Sequence, residues 1–432
     1  MSRWQPYAEY KDSDVEWLGE IPAHWETRRL KYVAPESGEK LGEKPDDATY
    51  LGLENVESNT GRLLLDNLAE EVASTVVAFR RGDILFGKLR PYLAKVVHAD
   101  FDGVGTTEFL VLRAFEDVEA HFLFYCLLSD GVIEAINGLT YGSKMPRANS
   151  EQVGNLYVGL TSLPEQRAIA AFLDRETARI DALVAKQERL IALLQEKRAA
   201  LISYAVTKGL DPDVEMKDSG VEWLGEIPVH WAAAPVYARY QVQLGKMLDQ
   251  KQVTGEHLYP YLRNVDVQWD QINIVDLPEM DFPPSSRTRF ALRPGDLLVC
   301  EGGEVGRTAI WHGELEDCYY QKALHRLRPY KRNDVPRFFF YVMCDAASRG
   351  VFTATGNPNT IDHLTAEKLR KHRFAFPPLG DQRAITAYLD REIAKLDALI
   401  AKAQEMIARL QEYRTALISA AVTGKIDVRG EV

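Results

Sequence analysis

QRAIAAFLDRETARIDALVAKQERLIALLQEKRAALISYAVT, residues 166–207, returns as QRAITAYLDREIAKLDALIAKAQEMIARLQEYRTALISAAVT, residues 382–423. At a constant shift of 216 the two stretches agree at 28 of 42 ungapped positions, so the chain contains an internal duplication. Neither copy holds a glycine or proline, and both are rich in Ala, Leu, Glu, Gln, Lys and Arg. Each therefore reads as one helix of roughly 60 Å at 1.5 Å per residue. Apolar residues recur at steps of three and four: Ile180, Leu183, Leu190, Leu194 and Leu201 in the first copy, Leu396, Leu399, Met406, Leu410 and Leu417 in the second. Such spacing is that of a coiled-coil seam. Gln187 and Lys197 stand in the first seam where the second has Ala403 and Tyr413. The simplest partner for each helix is the other copy; the alternative is that each packs only on its own domain.

The composition permits two or three cores: 432 residues, 46% of them apolar. The longest apolar run, residues 122–128, is too short to cross a bilayer, and residues 1–10 lack the pattern of a signal peptide, so a cytoplasmic location is expected. Four cysteines, Cys126, Cys300, Cys318 and Cys344, have no C-x-x-C spacing, which speaks against a disulfide framework and a zinc site. A net charge of −11 does not advertise nucleic-acid binding, so any DNA site must be local or completed by a partner.

Upstream of the first long helix, DSDVEWLGEIPAHW at 12–25 recurs with two substitutions at 218–231. Trp17, Leu18, Ile21, Pro22 and Trp25 read as an apolar plug that docks a connector against a neighbour, with Gly19 and Pro22 making the turn. His24 and His230, each beside a tryptophan, read as structural rather than catalytic. Residues 26–160 form a variable block with strands at 50–56, 83–86, 93–98 and 109–112 and helices at 120–128 and 132–137. Arg80, Arg81, Lys88, Arg90 and Lys95 crowd a segment with one acid, Asp83; this is either a phosphate-facing loop or a solvated basic face. The loop at 141–149 offers Ser143, Lys144, Arg147 and Asn149, and Ser162 stands three before Glu165 at a capping-box spacing.

Residues 232–376 replay that block: Asn55-Val56 matches Asn264-Val265, Gly82-Asp83 matches Gly295-Asp296, Leu112-Arg113 matches Leu327-Arg328, and the run at 122–125 matches 338–341. Between these anchors the residues differ almost everywhere, which implies two domains with one fold and two surfaces. The second block has a basic stretch at 322–332 and a loop at 356–360. The second helix's tail, 422–425, matches 206–209, so joined end to end the chain would close into two equivalent halves about a pseudo-two-fold axis.

Catalytic motifs are missing. There is no adenosylmethionine glycine motif, no Asn-Pro-Pro-aromatic loop and no Gly-Lys-Ser/Thr. Gly302-Gly-Glu-Val-Gly306 lacks the lysine of a nucleotide loop and reads as a strand turn admitting a close backbone approach.

The duplicated helix, the repeated W-L-G-E-I-P-x-H-W plug, the Leu-Pro-Glu-Gln-Arg and Gly-Asp-Gln-Arg helix starts and the two divergent blocks together resemble the specificity subunit of type I restriction-modification systems. The resemblance implies an α+β fold, with two mixed α/β target recognition domains separated by two long antiparallel helices forming a coiled coil. It divides the chain into a docking segment (1–25), a first recognition domain (26–160), a central helix (161–210), a connector with docking motif and second recognition domain (211–376), and a C-terminal helix (377–432). It implies that each domain reads one half of a bipartite, asymmetric site in double-stranded DNA. The helices would set the spacer and bind two methyltransferase subunits, with restriction subunits joining through the complex and the plug tryptophans expecting those methyltransferases. The chain itself would be non-catalytic and bind no cofactor; S-adenosylmethionine, ATP and magnesium would sit on partner subunits. DNA adenine methylation and ATP-dependent cleavage would belong to them. Position and side-chain type nominate Lys88, Arg90, Ser143, Lys144 and Arg147 in the first domain, and Arg307, Gln321, Lys322, Asn357 and Asn359 in the second, as DNA-binding. Two alternatives are a self-contained sequence-specific nuclease and a coiled-coil scaffold without DNA binding.

Overall fold

The computed structural model describes residues 4–65, 75–140, 142, 145–247, 254–331, 333–353 and 363–430. The two duplicated stretches are single helices, Leu163–Lys208 and Leu379–Val422. Packing groups the chain into two units that cut across both: residues 1–188 with 404–432, and residues 189–403. Each unit thus owns part of both long helices, a grouping that linear blocks do not convey.

In the first unit the plug is a hairpin, Tyr10–Asp12 against Glu20–Pro22. Leu18, Ile21 and Trp25 are buried in one core with Ile169, Phe172 and Leu173 of the first long helix and Leu417, Ile418 and Ala421 of the second. The plug is thereby consumed within its own unit. Trp25 and, in the second unit, Trp231 are buried, so these two do not offer the surface that the plug tryptophans were expected to present, whereas Trp17 and Trp223 are half-buried. Strand Glu26–Arg29 pairs with Tyr157–Leu160 and joins the two ends of the variable block. Between them lie a three-stranded antiparallel sheet, in the order Phe109–Leu112, Ile84–Gly87, Val96–His98, and a four-stranded sheet. In the latter, Tyr50–Leu51 runs parallel to Gly103–Thr106. Helices Ala120–Leu128 and Asp130–Gly138 cover the core side, and the first is buried over most of its length because eight of its nine residues are apolar.

The second unit repeats this order. Met216–Asp218 pairs with Glu226–Pro228, and Ala232–Pro235 with Arg373–Phe376. The main sheet runs Tyr240–Leu244, Leu324–Pro329, Leu297–Cys300, Thr308–Ile310, all antiparallel, and Leu258–Leu262 runs parallel to Tyr319–Tyr320 as its counterpart does. The same few side chains hold both copies together. Gln166 accepts from the Glu119 amide (2.8 Å) and donates to the Thr161 carbonyl (2.7 Å); Gln382 accepts from the Val335 amide (2.8 Å) and donates to the Pro377 carbonyl (2.9 Å). Tyr125 donates to Asp174 at 2.7 Å and Tyr341 to Asp390 at 2.5 Å. Glu165, placed by sequence in a capping box with Ser162, instead collects the Tyr7, Trp25 and Thr161 donors.

The long helices are antiparallel, and their ion pairs obey the duplication. Arg414 Nε meets Asp181 at 3.1 Å in the first unit, and Arg198 Nε meets Asp397 at 3.5 Å in the second. At the shift of 216 these are the same pair. The buried stripe differs from the expected one. Ile180, Leu194, Leu201, Leu396, Leu410 and Leu417 face inward, but Leu183, Leu190, Leu399 and Met406 are exposed. Gln187 and Ala403 of the expected seam are covered, Lys197 and Tyr413 are exposed, and Val184, Ile191 and Arg198 on the first helix and Ile400 and Ile407 on the second take the other covered positions. The reason is that two apolar stripes run side by side, one residue apart, and three-four spacing fits both.

Candidate nucleic-acid interface

A backbone frame recurs in the variable block of each unit. In the first unit the strand Ile84–Gly87 opens at Gly82 (φ 89°), whose left-handed backbone suits glycine. Asp83 then caps the Arg80 amide at 2.8 Å and takes both Arg113 nitrogens at 2.7 Å. At the far end of the strand the Lys88 amide donates to the Glu108 carbonyl (2.9 Å), the Ala148 amide to the Lys88 carbonyl (3.0 Å), and the Arg90 amide to the Pro146 carbonyl (2.7 Å). Lys88, Arg90 and Arg147, far apart in sequence, are brought to one edge, where Leu89 and Arg147 form a bridge pair.

Arg90 (φ 50°) and Ala94 (φ 45°) are left-handed although neither is glycine. Such strain costs of order 1 kcal/mol each and concentrates at functional sites. Here it flanks a single turn, Pro91–Leu93, that leaves Tyr92 exposed beside Arg90. Arg147 forms an ion pair with Glu108, and burial lowers the Lys88 ammonium's pKa, with the Glu108 carboxylate opposing it. Tyr92 and Met145 are exposed on this edge and were not nominated from sequence. Alternation marks neither, because their exposure follows from the strained turn and the 145–148 crossing.

The expected basic segment 80–95 divides. Arg80 and Arg81 sit at the opposite end of the strand, where the Arg81 amide meets Asp102 at 2.7 Å, and Lys95 spends its ammonium on the Leu53 carbonyl at 2.6 Å. Strand polarity separates what sequence proximity joined.

The second unit builds the same frame. Gly295 (φ 91°) opens the strand, and Asp296 caps the Arg293 amide at 2.8 Å and takes the Arg328 nitrogens at 2.6 and 2.5 Å. The Glu301 amide donates to the Ala323 carbonyl (3.0 Å) and the Leu364 amide to the Glu301 carbonyl (2.8 Å). Glu301 therefore stands where the first unit has Lys88, Ala323 where it has Glu108, and His363 where it has Arg147. Beside them Lys322 is exposed, and its amide meets the Lys246 carbonyl at 2.9 Å. Lys322, Glu301, Gly302, Asn264 and His363 line one open cavity. Gly302–Gly306 is a turn between strands, as expected, and Gly306 (φ 84°) admits no side chain because a Cβ would fall 2.5 Å from the Phe352 ring.

Arg307 is taken up inside the domain. Its guanidinium donates to the Asn264 carbonyl and side chain, each at 3.0 Å, and fastens the glycine turn. Gln321 is half-buried, its amide on the Leu262 carbonyl at 3.1 Å. The basic stretch 322–332 divides: Lys322 and Lys331 are exposed, but Arg326 is buried and donates to the Arg289 and Ala291 carbonyls, and Arg328 holds Asp296. Ser143, Lys144, Asn357 and Asn359 lie outside the described residues.

Residues 22–191 match the family described as type I restriction modification DNA specificity domain. This stretch is similar to a type I specificity domain. It contains the first frame whole, from Trp25 to the middle of the first long helix. The chain resembles specificity subunits of type I restriction enzymes. It is 26% identical over 192 residues to the EcoDI specificity subunit of Escherichia coli, and 29% identical over 133 residues to the EcoBI specificity subunit of the same organism. Those alignments cover 44% and 31% of this chain, and 43% and 27% of the relatives, so the chain spans less than half the length of the curated relatives it matches. Over nearly the full length the fold is that of a chain from a structure titled for complex assembly and conformational transition of the type I R-M system. The TM-score is 0.73 at 21% identity, covering 93% of this chain and 98% of that one. An HsdS subunit from Thermoanaerobacter tengcongensis superposes with a TM-score of 0.55 at 22% identity, covering 94% and 98%. Beyond the specificity domain, the second unit repeats its element order on the same backbone frame. No helix among the described residues is long and apolar enough to cross a membrane.

Proposed function

We propose that this chain is the DNA-reading subunit of a type I restriction-modification enzyme, and that its two units read the two halves of a split, asymmetric site. The observation that carries this is the repeated frame with exchanged side chains: Lys88, Glu108 and Arg147 on one copy, Glu301, Ala323 and His363 on the other. A frame retained while its displayed groups change in charge and hydrogen-bonding type suits two readers of different base edges, because the major groove presents a distinct donor and acceptor pattern for each pair. Arg90 and Lys322, both exposed, are the cations best placed for phosphate or guanine contacts. Ser143, Lys144, Asn357 and Asn359 remain nominated by sequence alone.

The chain carries out no chemistry in this reading; methylation, ATP-driven movement and cleavage lie with partner subunits that bring S-adenosylmethionine, ATP and magnesium. The surface for two methyltransferases is the outward stripe of the long helices. Leu183, Leu190 and Tyr204 on the first, and Leu399, Met406 and Tyr413 on the second, are exposed at multiples of seven residues. The test is methylome sequencing of a host carrying the chain and its methyltransferase, compared with hosts carrying R90A or K322A. Each variant is expected to weaken methylation at the native site or relax one half of it, and an unaltered methylome in both would remove these residues from the interface.

A further inference from the structure

The two copies of the plug end on a carboxylate in different states of completion. In the first unit Glu165 accepts from Tyr7 Oη at 2.8 Å and Trp25 Nε1 at 3.2 Å, with His24 Nε2 at 3.0 Å. The Tyr7 ring lies 6.1 Å from Trp25 and 5.6 Å from His24, with Arg429 over it at 5.0 Å. So enclosed, Glu165 is only 6% exposed. In the second unit Asp381 likewise takes Trp231 Nε1 at 3.1 Å and His230 Nε2 at 2.8 Å. At the plug's shift of 206, however, the position of Tyr7 falls on Asp213, and no tyrosine follows the first long helix before the plug. A cavity of about 240 Å³ takes its place, walled by Gly209, Pro228, His230, Trp231, Asp381 and Ile385, and Asp381 is 40% exposed.

We propose that this cavity is the docking site for a tyrosine side chain supplied by a partner protein, repeating in the second unit what Tyr7 does in the first. The walls Pro228, Trp231 and Ile385 fit an aromatic ring, and Asp381 at the rim, which accepts the Trp231 and His230 nitrogens on a single oxygen, has acceptor capacity for a phenol hydroxyl. The chain segment that could have filled it, Leu210 to Val214, forms part of its wall instead. The occupant is protein rather than DNA, because an acidic acceptor at the rim repels phosphate. This contact does not depend on how DNA is read.

The probe is an acetylated peptide of residues 2–9 of this chain, which carries Trp4 and Tyr7, titrated by calorimetry into the full-length protein. One peptide is expected per chain. The Tyr7→Phe peptide should bind several-fold more weakly and the Tyr7→Ala peptide at least about tenfold more weakly, in line with loss of a charge-assisted hydrogen bond and of ring burial. Two chain variants locate the site: A384W, at an exposed helix position lining the cavity, should block it, and D381A should weaken it. Thermal melting establishes that both fold. Absence of saturable binding at millimolar peptide would overturn the proposal. So would binding that survives A384W, which would mean exchange with Tyr7 in the first unit, or equal affinity of the Tyr7→Ala peptide.

Discussion

Glu165 and Asp381 stand at equivalent places and carry unequal burdens. Burial alone would raise the Glu165 carboxyl, but hydrogen bonds from Thr161, Tyr7, His24 and Trp25 outweigh it and hold the pKa below the ordinary value. A depressed carboxyl contributes stability that is complete above the usual carboxylate range and is lost as pH falls through the lowered value. The thermal midpoint of the native chain should therefore fall more steeply than that of E165Q below about pH 4, measured by circular dichroism. E165A should cost about 2–4 kcal/mol, since it strands the buried Trp25 and Tyr7 donors, while D381A should cost about 1 kcal/mol or less. The two arginines of the long helices show the same asymmetry. Arg414 is 8% exposed and donates to Asp181 and to the Asn59 and Thr60 carbonyls, whereas Arg198 is 40% exposed and meets Asp397 only at 3.5 Å. Chemical denaturation should find R414A destabilised by about 3 kcal/mol and R198A by less than about 1 kcal/mol. Equal losses would mean that burial does not distinguish these sites.

Among the elements, the long helices divide their apolar residues between a covered stripe and an outward one. Replacing the outward Leu190 and Met406 together by lysine should leave the melting temperature within a few degrees, because neither side chain is buried. The same double variant should lose co-purification with the methyltransferase, and retained assembly would move the docking surface elsewhere. Spacing is tested by matched insertions of four residues after Ala185 and Ala401, which stand at equivalent positions between the two ion pairs. Four residues approximate one 3.6-residue turn and add roughly 6 Å, so facing is nearly kept. If the helices set the spacer, methylome sequencing should show it lengthened by about one or two pairs, with both half-sites unchanged. Two-residue insertions rotate the seam by about 200° and should abolish assembly.

For the whole molecule, if each block reads one half-site as proposed, the repeated frame makes the two blocks interchangeable parts. Exchanging residues 26–160 for the matching block of a relative should alter one half of the methylated sequence and leave the other intact. A change in both halves would mean that the blocks do not read independently. The exchange is structurally reasonable because the block begins and ends at one paired base, Glu26–Arg29 against Tyr157–Leu160.

Residue pattern alone was enough for the duplication, the two long helices nearly to their ends, the strand at 109–112, the helix at 120–128 and the pairing of Gly82-Asp83 with Gly295-Asp296. These were legible because helix and strand periods, glycine at left-handed positions and repeated anchors are local properties of the chain. It also brought Lys88, Arg90 and Arg147 under suspicion together. Packing of distant segments, by contrast, selects which of two adjacent apolar stripes is covered, and which cations are spent on the chain's own carbonyls and carboxylates. Lys95, Arg307, Arg326 and Arg328 look like Arg90 and Lys322 in sequence, yet they are consumed by Leu53, Asn264, Arg289 and Asp296. The physical reason is that a cation's availability depends on acceptors brought to it from elsewhere in the chain, and those contacts leave no local trace in composition or spacing.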